Sequence, residues 1–147
     1  MFRYALGLLL VAAVAQATEF ANCDAGKPID ALRVVGCETL PCQFPRGQDI
    51  RAEMDFTADS EADFLGPKIR VKALGMWVNY PIGYDDACDG HLLAGSCPLY
   101  GGDKATFDIR IPVLSSYPKI PLDVEVTLTD KDENPLTCFF ITGQVVD

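Results

Sequence analysis

From Asp49 onward the sequence alternates apolar and polar side chains with a period of two, and this constrains the fold more than any other feature. Ile50, Ala52, Met54 and Phe56 fall on one side, Arg51, Glu53 and Asp55 on the other. Ile69, Val71 and Ala73 alternate with Lys68, Arg70 and Lys72. Phe107, Ile109, Ile111 and Val113 alternate with Asp108 and Arg110, and Leu122, Val124, Val126 and Leu128 with Asp123, Glu125 and Thr127. Successive side chains of a strand point to opposite faces, so each of these segments has one dry side. Weaker strands are expected over Leu32–Val35 and over Thr137–Val146, where Phe139, Phe140 and Ile141 obscure the buried face. A short extended piece is expected over Met76–Tyr80. Turn residues at Gly47, Gly66-Pro67, Gly83, Gly101-Gly102, Pro118 and Asn134-Pro135 punctuate the pattern. About seven antiparallel strands closing as a sandwich are implied, with helix only as a short turn near Ser60–Asp63.

The N-terminus has a different character. Arg3 precedes an uncharged run from Ala5 to Ala15, and Ala15-Gln16-Ala17 supplies the small residues of a signal-peptidase site. Residues 1–17 are expected to be a secretory signal, and residues 18–147 a single domain. The apolar run is too short to span a hydrocarbon core of roughly 30 Å. The whole chain carries a formal charge of -9, and loss of Arg3 makes the mature chain more acidic still. Such a surface repels polyanions, so nucleic acid is not an expected partner.

Secretion fixes the meaning of the six cysteines, because an oxidising compartment favours disulfides over thiols. Roughly 15 pairings are open to six cysteines. Cys37 and Cys42 are close enough in sequence to close a loop containing Pro41, and Cys88 and Cys97 one containing Gly90 and Gly95, which leaves Cys23 for Cys138. Zinc held by His91 and neighbouring cysteines is disfavoured, since secreted thiols oxidise and His91 is the one histidine of the chain.

Bond-making chemistry finds few candidates. Ser96, Ser115 and Ser116 lie outside any Gly-x-Ser-x-Gly elbow, and the only histidine base lies in the loop between Cys88 and Cys97. Asp85, Asp86 and Asp89, like Asp130, Asp132 and Glu133, lack the spacing of a calcium loop and are expected to be solvated turns. No catalytic residue, metal or cofactor is assigned.

The segments Phe20-Ala-Asn-Cys23, Val35-Gly-Cys37-Glu38, Pro41-Cys42 and Arg46-Gly47 resemble the opening of the lipid-recognition ML domain. Asp86-Ala-Cys88, Cys97-Pro98, Ile111-Pro-Val113, Tyr117-Pro118-Lys-Ile120, Val124-Glu-Val-Thr-Leu128 and Cys138 resemble its second half. The chain is thus similar over its whole mature length to the family of the small soluble Niemann-Pick type C proteins, and more distantly to group-two mite allergens. The resemblance implies an immunoglobulin-like two-sheet sandwich with a lipid cavity between the sheets, and the same three disulfides. It also implies that Tyr80, Val113 and Tyr117, with Pro118 beside the last, line or gate that cavity. The inward Met54, Phe56, Val71, Phe107, Leu122, Val124 and Val126 suit a pocket wall and a sealed core equally well.

The expected function is that of a secreted, extracellular, monomeric carrier that is not an enzyme. It would hold one small hydrophobic ligand, a fatty acid, sterol or semiochemical, and hand it over at a membrane or a receptor. The alternatives are a module that recognises microbial lipid in innate immunity and a sealed-core interaction module. None of Asn22, Asn79 and Asn134 begins a glycosylation sequon, so the glycan address of lysosomal relatives is missing.

Overall fold

The computed structural model describes residues 16–147, so nearly all of the expected signal segment lies outside the described residues. Ten strands form: β1 (Ala21–Asn22), β2 (Ala31–Val34), β3 (Cys42–Pro45), β4 (Asp49–Thr57), β5 (Gly66–Ala73), β6 (Met76–Tyr80), β7 (Leu92–Ala94), β8 (Lys104–Pro112), β9 (Pro121–Thr129) and β10 (Pro135–Val146). They build two sheets. The larger runs β1-β10-β9-β5-β6, with β3 also on β10, and the smaller runs β2-β4-β8-β7.

Each long strand adopts the facing that its alternation dictates. Ala52, Met54 and Phe56 of β4 meet Ala105, Phe107, Ile109 and Ile111 of β8 on the inner face of the small sheet. Val124, Val126 and Leu128 of β9 and Ile69 of β5 cover them from the large sheet. In β10 the ambiguous aromatic run resolves with Phe139, Ile141 and Val145 buried and Phe140 turned partly outward. Two tight positions close the chain on itself: the β5–β6 hairpin turns through Leu74 and Gly75, both at positive φ, as a two-residue hairpin requires.

Three strands depart from the expected set, and all are short. β1 and β7 are too brief for a period to register, and β3 pairs parallel to β10 rather than antiparallel. No helical turn forms at Ser60–Asp63, where Ala62 instead exchanges backbone hydrogen bonds with Leu99 at 2.8 Å. The disulfides join Cys23 to Cys138, Cys37 to Cys42 and Cys88 to Cys97, as expected. Asp86 turns its carboxylate inward on the loop, accepting the backbone N–H groups of Leu65 at 3.0 Å and Cys88 at 2.9 Å.

On the outer face of the small sheet, Arg33 grips Asp55 with two hydrogen bonds of 2.7 and 2.9 Å and reaches Glu53 at 3.1 Å. The Arg33 guanidinium, helped by the Thr106 hydroxyl, holds the Asp55 carboxyl below its ordinary value against the opposing effect of burial. A carboxylate whose folded pKa is depressed stabilises the fold above its unfolded pKa of about 3.9 and loses that contribution as pH falls through the folded value. Arg33→Met should therefore cost about 1 kcal/mol at pH 7, as half-exposed pairs do, and much less near pH 2. Urea unfolding at both pH values checks this, and an equal loss at each would contradict it.

Candidate functional site

The inner faces of the two sheets do not stay in contact along their length. On β5 and β9, the pair Ile69 and Val126 is buried, Val71 still opposes a buried Val124, and Ala73 with Leu122 is only half-buried. Burial thus falls toward one end of the sandwich, which is the signature of sheets that part. Between them opens a cavity of 300 Å³ whose walls are almost wholly apolar. This is at the small end of ligand pockets, which run from about 300 to 1,000 Å³.

Seven of the residues expected at the site meet here. Val71, Leu122 and Val124 form the large-sheet wall, and Val113, Pro118, Tyr117 and Tyr80 form the opposite wall and the mouth. The other four lie elsewhere. Met54 and Phe107 are fully buried in the closed core, Phe56 borders a separate 30 Å³ void beside Leu65 and Leu99, and Val126 borders one of 10 Å³ beside Phe139. The cavity also takes in Ile50 and Ile111, the next inward positions of β4 and β8 toward the open end, together with Pro112 and Ile120. Ala73 and Val78 of the β5–β6 hairpin and Phe44 and Val145 of the β3–β10 pair complete it. Alternation placed Ile50, Ile111 and Ala73 inward, but nothing in the sequence marked Phe44.

Phe44 enters through a gap left by a glycine. It comes from the parallel strand β3, and a Cβ built on Gly143 would stand 2.0 Å from the Phe44 ring. Only hydrogen at that position lets the ring lie flat against β10 as the end wall of the cavity. Gly143→Ala should push the ring into the cavity, costing about 1 to 3 kcal/mol of stability as overpacking does. Loss of ligand uptake in a variant that still folds is the expected result, with thermal melts and binding measured side by side.

Among the described residues, the polar side chains of the cavity lining, Tyr80 and Tyr117, stand at its mouth. Tyr80, on β6, donates its hydroxyl proton to the backbone carbonyl of Pro112 at the end of β8, joining the two sheets across the opening. The Tyr117 hydroxyl lies 2.8 Å from that of Tyr80, and the two rings meet edge to face with centroids 6.5 Å apart. Burial, with the Asp49 charge, holds the Tyr80 phenol protonated well above its ordinary range. Arg46 supports Tyr117 from behind, donating to its backbone carbonyl at 3.3 Å, and its charge is met by Asp147. Trp77 points outward, with the Arg70 guanidinium 4.7 Å above its ring, while its neighbour Val78 faces the cavity.

A larger hollow of 460 Å³ lies on the outside of the large sheet, edged by Lys72, Asp123 and Gln144. Its lining is mixed with charge and it faces solvent, so the space between the sheets is the better candidate for an apolar ligand.

Residues 17–145 match the family model of the ML domain. The chain belongs to that family. It is 29% identical over 150 residues to the NPC intracellular cholesterol transporter 2 homolog a of Drosophila melanogaster, covering 99% of each chain. Among solved structures it is similar to a Niemann-Pick type C2 protein from Japanese carpenter ant, with a TM-score of 0.78 and 17% identity over 87% of this chain and 99% of that one. Chicken MD-1 complexed with lipid IVa is also similar, with a TM-score of 0.55 and 14% identity over 85% of this chain and 87% of that one. These two structures show a shared fold. Within the ML family, the sandwich described above is the expected architecture.

Proposed function

We propose that this chain is a secreted carrier that takes up one small hydrophobic molecule between its sheets and releases it elsewhere, residues 1–17 serving as the export signal. The observation that carries this reading is the 300 Å³ apolar cavity at the parted end of an otherwise close-packed sandwich. A protein core is packed like an organic crystal, and across a space of this size the walls forgo the dispersion contacts they would otherwise make with one another. A ligand that fills it regains them and also leaves water, worth about 25 cal/mol per Å² of apolar surface removed. The names of the relatives, a cholesterol transporter and a lipid complex, support a lipid as the cargo.

In this account Val71, Leu122 and Val124 grip the ligand from the large sheet, Val113 and Pro118 from the small-sheet side, and Tyr80 and Tyr117 form the doorway. A phenol suits a doorway because it offers an apolar ring inward and a hydroxyl to water. Capture and release need no covalent step, so no residue is given a catalytic role. The disulfides hold the sandwich together while its open end admits a guest.

Titration with an uncharged naphthylamine fluorophore tests the reading. Saturable enhancement near one probe per chain, reversed by unlabelled aliphatic or sterol competitors, is expected. Absence of saturable binding would sink it.

A further inference from the structure

The hydrogen-bond chain at the cavity mouth has a direction, and that direction selects the ligand's polar end. A backbone carbonyl can only accept, so the single proton of Tyr80 is committed to Pro112. The contact between the two phenols therefore runs from Tyr117 to Tyr80, and the single proton of Tyr117 is spent as well. What faces an incoming ligand is oxygen lone pairs with no proton left to offer. Among the described residues, no charged side chain lines the cavity. Asp49 pairs with Pro112 in the β4–β8 ladder, and its negative charge is felt at the Tyr80 hydroxyl. Two cations toward this end, Arg46 and Lys119, both pair with Asp147.

From this geometry we infer that the mouth recognises an uncharged ligand carrying a hydroxyl donor, an aliphatic or alicyclic alcohol, in preference to an ionised fatty acid or a proton-free ester. The inference rests on the carrier reading and names the head group that reading leaves open. An alcohol donates its proton to the Tyr117 oxygen and extends a chain that ends on Pro112. A carboxylate brings only acceptors to a site that already lacks donors, next to the Asp49 charge, and gives up its hydration for nothing. An ester or ketone meets the same shortage without the charge. Partition into an apolar cavity alone would rank these ligands differently, since the ester has no proton to desolvate and should bind at least as well as the alcohol.

Competition for the bound naphthylamine fluorophore by decanol, methyl decanoate and decanoate at pH 7.5 separates the possibilities. The expected order is decanol first, methyl decanoate weaker by about threefold to tenfold, the effect of one net hydrogen bond, and decanoate weaker again. Tyr80→Phe frees the Tyr117 proton to donate, so in that variant the ester should gain on the alcohol and the ratio should fall toward one. Ester binding by the variant also shows that its cavity is intact. Methyl decanoate or decanoate matching decanol in the unmodified protein, or an unchanged ratio in Tyr80→Phe, would overturn the inference and leave the carrier standing. Failure of all three ligands, and of a sterol, to displace the probe would remove the carrier reading itself, and this inference with it.

Discussion

Val113→Phe is expected to lower the affinity for an apolar ligand at least tenfold, a loss of about 1.4 kcal/mol, while the protein remains folded. Val113 is 6% exposed and sits just past the end of β8, where it looks into the cavity rather than into the closed core. A phenyl ring at that position has open space to enter, so it occupies the volume a ligand would need. At a sealed position the same substitution overpacks the interior and costs about 1 to 3 kcal/mol. The two cases are told apart by a thermal melt. A melting temperature close to that of the unmodified protein together with lost probe binding places the ring in the cavity, and undiminished binding would remove Val113 from the site.

The second large effect concerns the bond between Cys23 and Cys138. It closes a loop of sequence separation 115, fastening β10 to the segment just after β1, whereas the other two disulfides span separations of 5 and 9. In the loop-entropy account a closure of this length stabilises by about 4 to 5 kcal/mol, and removing a native disulfide from a small secreted domain typically costs about 2 to 5 kcal/mol. Replacing both cysteines by alanine should therefore shift the urea midpoint far more than the same change at Cys37 and Cys42. β10 carries Val145 into the cavity and receives Phe44 along its far end, so its detachment should also weaken ligand uptake. Equal destabilisation by the two replacements would contradict the loop-length argument.

How much of this could be read from residues alone differs between the fold and the site. The alternation in β4, β5, β8 and β9 states which side of each strand is dry, and burial follows it residue by residue. β3 leaves no such mark, because Cys42-Gln43-Phe44-Pro45 offers just two inward positions, too few to count as a period. The site is harder for a more general reason. Val124 and Val126 are chemically identical, two residues apart and on the same face of β9, yet the first lines the ligand-sized cavity and the second belongs to the closed core. What separates them is how far the sheets have diverged at each level, which the chemistry of neither valine sets. The same holds for Met54 and Ile50 on β4. Tyr80, Val113 and Tyr117 are expected at the cavity only from the family resemblance. The direction of the hydrogen bonds between the two tyrosines depends on the Pro112 carbonyl, which no side-chain pattern could announce.

The central claim is that the parted end of this sandwich holds a molecule of lipid. Native mass spectrometry of the protein secreted from eukaryotic cells, recorded before and after extraction with organic solvent, tests it most directly. A single adduct of lipid mass per chain, lost on extraction and regained on incubation with a neutral lipid fraction, is the predicted result. The bare chain mass in every condition, with no uptake on incubation, would contradict the account and return the walls of the cavity to ordinary core.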